Sequence, residues 1–265
     1  MYLSSNQQQR LRENYGSWAL VSGASSGIGR EIAHELAAAG FNLVLNARSE
    51  KLLRESAEEI QQQFGTAVQF IPADLATDEG IEQLISKSRQ YDIGLLVASA
   101  GFGTSGSFLH TSIHAERNMI RVNCEGLLSL THHFAQSFSR QKRGGIILMS
   151  SLVAFQGVPF AANYAATKAY VQSLAEGLSI ELKEYGIDVL AAAPGPVDSG
   201  FGKRANMQMD MSLRPDQVAG PILAALGKKQ TVLPGKLTKF LIYEDEQVYE
   251  IVSEPDEVLD AEAGE

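Results

Sequence analysis

In NYAATKAY, residues 163–170, a tyrosine and a lysine stand four apart in a run of small residues. Alanine-rich sequence favours helix, and helical positions i and i+4 share a face. Tyr164 and Lys168 therefore bring a phenol and an ammonium together near a helix start. A free phenol ionises at about pH 10, too high to shuttle protons at neutral pH. A neighbouring ammonium favours the phenolate and lowers that value. The pair reads as a proton-exchange centre, in which Tyr164 exchanges a proton with a substrate oxygen and Lys168 tunes it. Taken alone, Y-x-x-x-K is also what a core aromatic beside a snorkelling lysine looks like.

A second cluster lies near the N-terminus. SGASSGIG (22–29) places Gly23, Gly27 and Gly29 between an apolar run and a helical stretch. Glycine allows a tight turn and close backbone approach to a pyrophosphate, and a helix N-terminus favours the anion. The spacing is G-x-x-x-G-x-G rather than G-x-G-x-x-G, but its place after the first strand of a βαβ unit points to a dinucleotide site. Gly23–Gly27 also spells G-x-S-x-G, the nucleophile elbow of α/β hydrolases. That reading needs a later acid and histidine, yet the last histidine is His133. About 20 residues on, where an acid would bond a ribose 2′-hydroxyl, the chain has Ala47 and then Arg48. Losing the acid removes repulsion toward a 2′-phosphate, and a guanidinium can grip one. NADP(H) is therefore expected in preference to NAD(H).

These groups need a frame, and the chain reads as strands alternating with helices. Strands are expected at 18–22, 41–47, 67–73, 93–101, 144–151, 187–195 and 231–235. Helices are expected at 29–40, 49–64, 78–90, about 112–140, 162–185 and 215–227. The strands are nearly continuous apolar runs, as when both faces of a parallel sheet are covered. The fold class is therefore α/β: one doubly wound parallel sheet of about seven strands, a Rossmann fold in a single domain. Ligands bind such sheets at the carboxyl ends of the strands, where the motifs lie.

The domain is taken as residues 1–243, with 1–15 as a polar N-terminal extension. Residues 244–265 hold ten Asp or Glu and no Lys or Arg. They read as an acidic, disordered tail. Without those ten, 21 of the 31 acids remain against 22 Lys and Arg, so the body is near neutral and lacks the basic footprint of a nucleic-acid binder. No apolar run is long enough to span a bilayer. One cysteine, Cys124, excludes an internal disulfide and a multi-cysteine metal site. His132 and His133 lack H-E-x-x-H spacing, so no metal is expected. A soluble, cytoplasmic protein is the plain expectation.

With SGASSGIG, Ser151 at the end of strand five, Y-x-x-x-K, and PGPVDS (194–199) after strand six, the chain resembles the short-chain dehydrogenase/reductase family over roughly residues 16–235. The resemblance implies that Tyr164 is the general acid/base, and that Lys168 is its partner and also holds the nicotinamide ribose. Ser151, thirteen residues before the tyrosine, would orient the reacting oxygen; Ser150 is one residue off that spacing. Asn123 in RVNCEG would anchor a water in the proton relay. Cofactor contacts carried over are Gly23, Ser25, Ser26, Gly27, Ile28, Gly29, Asp74 and Leu75 near the adenine end, with Arg48 at the ribose. Ala100, Gly101, Pro194, Gly195, Val197 and Ser199 fall toward the nicotinamide. The chain departs from the family at Ala98-Ser99, where an asparagine pair is usual, and at Ser22, which replaces a threonine.

The implied reaction moves a hydride between NADPH and a small-molecule carbonyl or secondary alcohol, most naturally an apolar one. The substrate pocket is expected to draw on Phe102, Phe108, residues 152–160 and residues 201–215, whose methionines 207, 209 and 211 read equally as a flexible lid or as a poorly ordered loop. Tyr170 is expected to pack in the core, and Cys124 to be a small buried filler. Family members commonly pair through long helices of this kind, so a homodimer or homotetramer is expected. The alternative is a catalytically silent NADP(H)-sensing binding protein on the same fold.

Overall fold

The computed structural model describes residues 3–205 and 212–235. A first helix, α1 (Ser5–Tyr15), precedes strand β1 (Trp18–Ser22). Then follow α2 (Gly27–Ala38), β2 (Asn42–Ala47), α3 (Glu50–Phe64), β3 (Val68–Pro72), α4 (Asp78–Ser88) and β4 (Ile93–Ala98). A long bent helix comprises α5 (Ile113–Ile120), a wide π-helical turn Arg121–Gly126, and α6 (Leu127–Gln141). The remainder is β5 (Gly144–Met149), α7 (Ala162–Glu181), β6 (Ile187–Ala192), α8 (Phe201–Ala205), α9 (Pro215–Ala225) and β7 (Thr231–Val232).

The strands are all parallel, in the order β3-β2-β1-β4-β5-β6-β7. Alternation along each strand sends side chains into two separate cores. Ala19 and Val21 of β1 and Leu95 and Val97 of β4 face α2, α3 and α9, with Leu36, Leu53 and Leu223. Leu20, Leu96 and Ala98 face the opposite layer, with Leu84 of α4, Phe134 of α6 and Val171 of α7. Because both layers are apolar, the strands lack a polar face, and each fully buried Leu or Val contributes about 1.5–3 kcal/mol. The order reverses between β1 and β4, which opens a crevice at their carboxyl ends.

Local signals set several helix ends. Ser49 caps α3 by accepting from the Leu52 N–H, and Thr77 caps α4 by accepting from the Gly80 N–H. Gly65 ends α3 in the left-handed conformation, φ 69°.

The polar extension is itself structured. It forms α1, which buries Leu11 and Tyr15 across the amino-terminal edge of the sheet. Tyr15 Oη donates to Asp188 Oδ2 at 2.7 Å. Arg10 donates to the carbonyls of Leu226 at 2.6 Å and Ala224 at 3.1 Å. Burial and the adjacent Asp188 carboxylate push the Tyr15 phenol well above its ordinary range.

The long helix expected at 112–140 is present but widened. A Cβ at Gly126 would stand 2.5 Å from the Leu75 carbonyl oxygen, so the helix passes hard against the loop after β3. The wide turn lies there, and it carries Asn123.

Candidate active site

One cleft runs along the carboxyl ends of β1, β2, β4, β5 and β6. Its first wall is the glycine turn. Gly23 has φ 69°, and a Cβ there would meet the Ala100 backbone and the Ser99 carbonyl oxygen, each at 2.9 Å. Ser22 Oγ accepts from the N–H groups of Ser99 and Ala100, both at 3.1 Å. The hydroxyl retained at Ser22 thus ties the ends of β1 and β4 together. Gly23→Ala is expected to destabilise the chain by more than the about 1–2 kcal/mol of a left-handed residue, because backbone must also shift; denaturant melting of the variant measures it.

All the residues expected to hold cofactor line this one cleft. Gly23, Ser25, Ser26, Gly27, Ile28 and Gly29 form the turn and the start of α2. Arg48 stands exposed on the rim beyond β2, with Asp74 and Leu75 beyond β3. Ala100 and Gly101 follow β4, while Pro194, Gly195, Val197 and Ser199 follow β6. A lining residue that the sequence does not single out is Asn46, which is 1% exposed and donates to the carbonyls of Ile71 at 3.0 Å and Ala73 at 3.2 Å, tying the end of β2 to the loop after β3.

At the other end stand Ser151, Tyr164 and Lys168. Lys168 Nζ donates to the Met149 carbonyl at 2.9 Å and lies 5.8 Å from the Tyr164 ring centre. The neighbouring Ser150 turns away: its hydroxyl donates to the Lys168 carbonyl at 3.1 Å. Ser151 is the serine beside the phenol. None of the lining residues is a histidine, which leaves the nucleophile elbow without its base.

The expected tuning of the phenol is corrected. Burial pushes Tyr164 up to about 12, and the Ser151 hydrogen bond draws it back only in part. Burial also brings Lys168 down to about 8, with the nearby Cys124 thiol opposing that shift. Desolvation wins because both groups are nearly sealed from solvent, at 7% and 6% exposed. With protein groups alone, Tyr164 is a held acid rather than a ready base.

Asn123 does not line the cleft; it braces it from behind. Its Nδ2 donates to the Phe102 carbonyl at 2.9 Å and to Thr167 Oγ1 at 3.0 Å, and its Oδ1 accepts from the Phe102 N–H at 3.1 Å. A Cβ at Gly101 would stand 3.0 Å from that Oδ1 and 3.5 Å from Lys168 Nζ. Glycine therefore keeps open the space between the carboxamide and the ammonium.

Phe102, Leu152, Val153, Ala161 and Phe201 give the phenol end apolar walls. The Phe201 ring stacks tilted on Tyr164 at 5.3 Å. Phe108 does not join them. It is 71% exposed, on the turn before α5, and the spacing of aromatics in a loop does not reveal which side faces inward. Tyr170 is likewise 38% exposed rather than core, and Cys124 is half-buried. Of the expected lid, Phe201 reaches the site, while Met207, Met209 and Met211 lie outside the described residues, as does the acidic tail.

The sequence model of the short chain dehydrogenase family matches residues 17–210. The chain belongs to that family. A 7beta-hydroxysteroid dehydrogenase of Clostridium sardiniense is 31% identical over 234 residues, covering 86% of this chain and 89% of that protein. A solved 7beta-hydroxysteroid dehydrogenase superposes with a TM-score of 0.82 at 26% identity, covering 90% of this chain and 95% of the other. A short-chain dehydrogenase from Sphingobium yanoikuyae in complex with NADPH gives 0.78 at 27% identity, covering 88% and 97%. Family membership makes the chain an NAD(P)-binding oxidoreductase, and gives no support to a silent sensor. Among the described residues, no helix is long and apolar enough to cross a membrane, and no group of three or more His, Cys, Asp or Glu could hold a metal.

Proposed function

We propose that the protein is an NADPH-dependent reductase of a bulky, apolar ketone of hydroxysteroid type, with the reverse alcohol oxidation available on the same groups. The observation that carries this reading is the joining, in one cleft, of Arg48 at the far rim with Ser151, Tyr164 and Lys168 at an apolar end. Relatives named for hydroxysteroids supply the substrate class.

In this reading the Gly23–Gly29 turn and the N-terminus of α2 hold the pyrophosphate, Asp74 and Leu75 flank the adenine, and Arg48 holds a 2′-phosphate. When bound, the nicotinamide supplies the hydride that the carbonyl carbon accepts. Tyr164 gives its proton to the carbonyl oxygen, so one C–H and one O–H bond replace the C=O π bond. Ser151 donates a hydrogen bond to that oxygen and fixes it in line with the phenol. Lys168 donates to the nicotinamide ribose and favours the phenolate left after transfer. The space that Gly101 leaves between Asn123 and Lys168 takes the water that returns a proton. Phe102, Leu152, Val153 and Phe201 exclude bulk water from the reacting oxygen. Exposed Ile120, Leu128 and Tyr170 on α5, α6 and α7 supply apolar surface for the expected homo-oligomer contact.

Burial pushes the Tyr164 phenol up to about 12, so reduction has its acid at every physiological pH, while the net direction follows the cofactor and substrate ratios. Lys168 changes charge near 8. Below that value the ammonium donates three hydrogen bonds; above it the amine does not. The kcat/KM for reduction is therefore expected to fall as pH rises through about 8, with no further loss from Tyr164 until far higher. A pH profile over about 6–10 checks this; a flat profile would remove Lys168 from the reading.

The function itself is tested by incubating the purified protein with NADPH and a panel of steroid ketones, open-chain apolar ketones and small aldehydes, with chromatographic analysis of products. Alcohol formed from the steroid ketones ahead of the small aldehydes is the expected result. Turnover confined to small polar carbonyls would overturn the substrate class.

A further inference from the structure

Of the buried ionisable groups that the proposed mechanism leaves unused, Glu116 is bonded to segments that meet at the phenol. Glu116, on α5, is 6% exposed. Among the described residues no basic side chain forms an ion pair with it. A buried carboxylate without a countercharge is costly unless hydrogen bonds satisfy it. Glu116 has such bonds. Thr104 Oγ1 donates to its Oε1 at 2.8 Å, and Asn163 Nδ2 donates to its Oε2 at 2.7 Å. The same Asn163 amide also lies 3.2 Å from the Glu116 carbonyl oxygen. Hydrogen bonds to an ionised acceptor are roughly twice as strong as neutral ones.

The two donors belong to the two segments that meet at the phenol. Asn163 immediately precedes Tyr164 in the first turn of α7. Thr104 belongs to the loop after β4, which is staked along its length. Asn123 holds Phe102, Glu116 holds Thr104, Ser105 Oγ donates to the Ala205 carbonyl at 2.7 Å, and the Gly106 N–H donates to the Phe160 carbonyl at 2.8 Å. Between the first two stakes lies Gly103. A Cβ there would stand 3.2 Å from Tyr164 Cδ2 and 2.8 Å from Phe201 Cζ. This stretch is therefore the surface against which the phenol ring rests, and one carboxylate joins it to the residue beside that ring.

We propose that Glu116 is a positioning residue, which locks the Gly101–Gly106 loop to the first turn of α7 and so holds the Tyr164 phenol in line with the substrate oxygen. The inference rests on the reading of Tyr164 as the proton donor. Misplacement of a reacting group by about an ångström can cost a hundredfold in rate. Glu116→Ala, which removes the carboxylate that Thr104 and Asn163 share, is expected to lower kcat for ketone reduction about tenfold or more, with the NADPH dissociation constant unchanged. Glu116→Gln can still accept from Asn163 while donating to the Thr104 hydroxyl, and is expected to keep kcat within about twofold. Hydrogen exchange on the same proteins should show faster exchange in Glu116→Ala confined to residues 101–106 and the first turn of α7.

Three outcomes overturn the proposal: kcat unchanged in Glu116→Ala; loss of kcat, NADPH binding and melting temperature together, which is a merely structural role; or a fall in Glu116→Gln as deep as in Glu116→Ala. A wild-type chain that binds NADPH but reduces no ketone would instead sink the reading of Tyr164. In that case exchange alone decides the tether, and unchanged exchange in Glu116→Ala sinks it too.

Discussion

Tyr164→Phe is expected to lower kcat for ketone reduction by about a thousandfold or more, with the NADPH dissociation constant unchanged within a factor of about two. The substitution removes a single oxygen. The ring that packs between Gly103 and Phe201 stays, so the fold has little reason to change. General acid catalysis by a placed group is typically worth about 10²–10⁴-fold, and the upper part of that range is expected because the site is sealed. Tyr164 is only 7% exposed, so bulk water is a poor substitute donor. Single-turnover reduction, with cofactor binding followed by fluorescence, separates the two quantities. A variant retaining a tenth of the wild-type rate would mean that another group supplies the proton, and Ser151 would be the first suspect.

The second large effect is on cofactor choice. Arg48→Glu is expected to raise the NADPH dissociation constant about a hundredfold while leaving NADH binding unchanged or slightly tighter. A charge-assisted hydrogen bond is worth about 1.5–3 kcal/mol, and each 1.4 kcal/mol is about tenfold in affinity. The introduced acid adds repulsion toward a 2′-phosphate and can accept from a ribose 2′-hydroxyl. Arg48 is exposed and at the rim, so the change carries little structural cost. Titration of both cofactors against wild type and variant measures it. Equal weakening of NADPH and NADH, or none, would move the specificity away from Arg48.

The sequence exposed the frame well for a physical reason. Strands covered on both faces have no polar side, so β1, β2, β4, β5 and β6 read as plain apolar runs. The glycine turn was legible because each glycine answers a steric demand, as at Gly23 against the Ala100 backbone. The family resemblance implies Ser151 rather than Ser150, and in the structure the Ser150 hydroxyl is bonded to the α7 backbone. What stayed hidden depends on contacts across the fold. Only Leu11 and Tyr15 of α1 are buried, too few to mark that helix in a polar segment. The wide turn at Arg121–Gly126 lies where Gly126 passes the Leu75 carbonyl, a contact between distant segments that the local sequence does not reveal. The Tyr164 ionisation was misjudged because the neighbouring ammonium is visible in a Y-x-x-x-K spacing whereas the depth of burial is not. Asn46 and Glu116 are ordinary residues in sequence; only the cleft and the paired donors give them meaning.

The most direct test of the central claim is isotopic. The protein is incubated with a polycyclic apolar ketone and NADPH deuterated at its transferable position, and the product is analysed by mass spectrometry. The account predicts an alcohol bearing a single deuterium on the former carbonyl carbon, formed by the wild type and not by Tyr164→Phe. Tight NADPH binding with no labelled alcohol from any apolar ketone, or a labelled alcohol formed equally well by Tyr164→Phe, would contradict it.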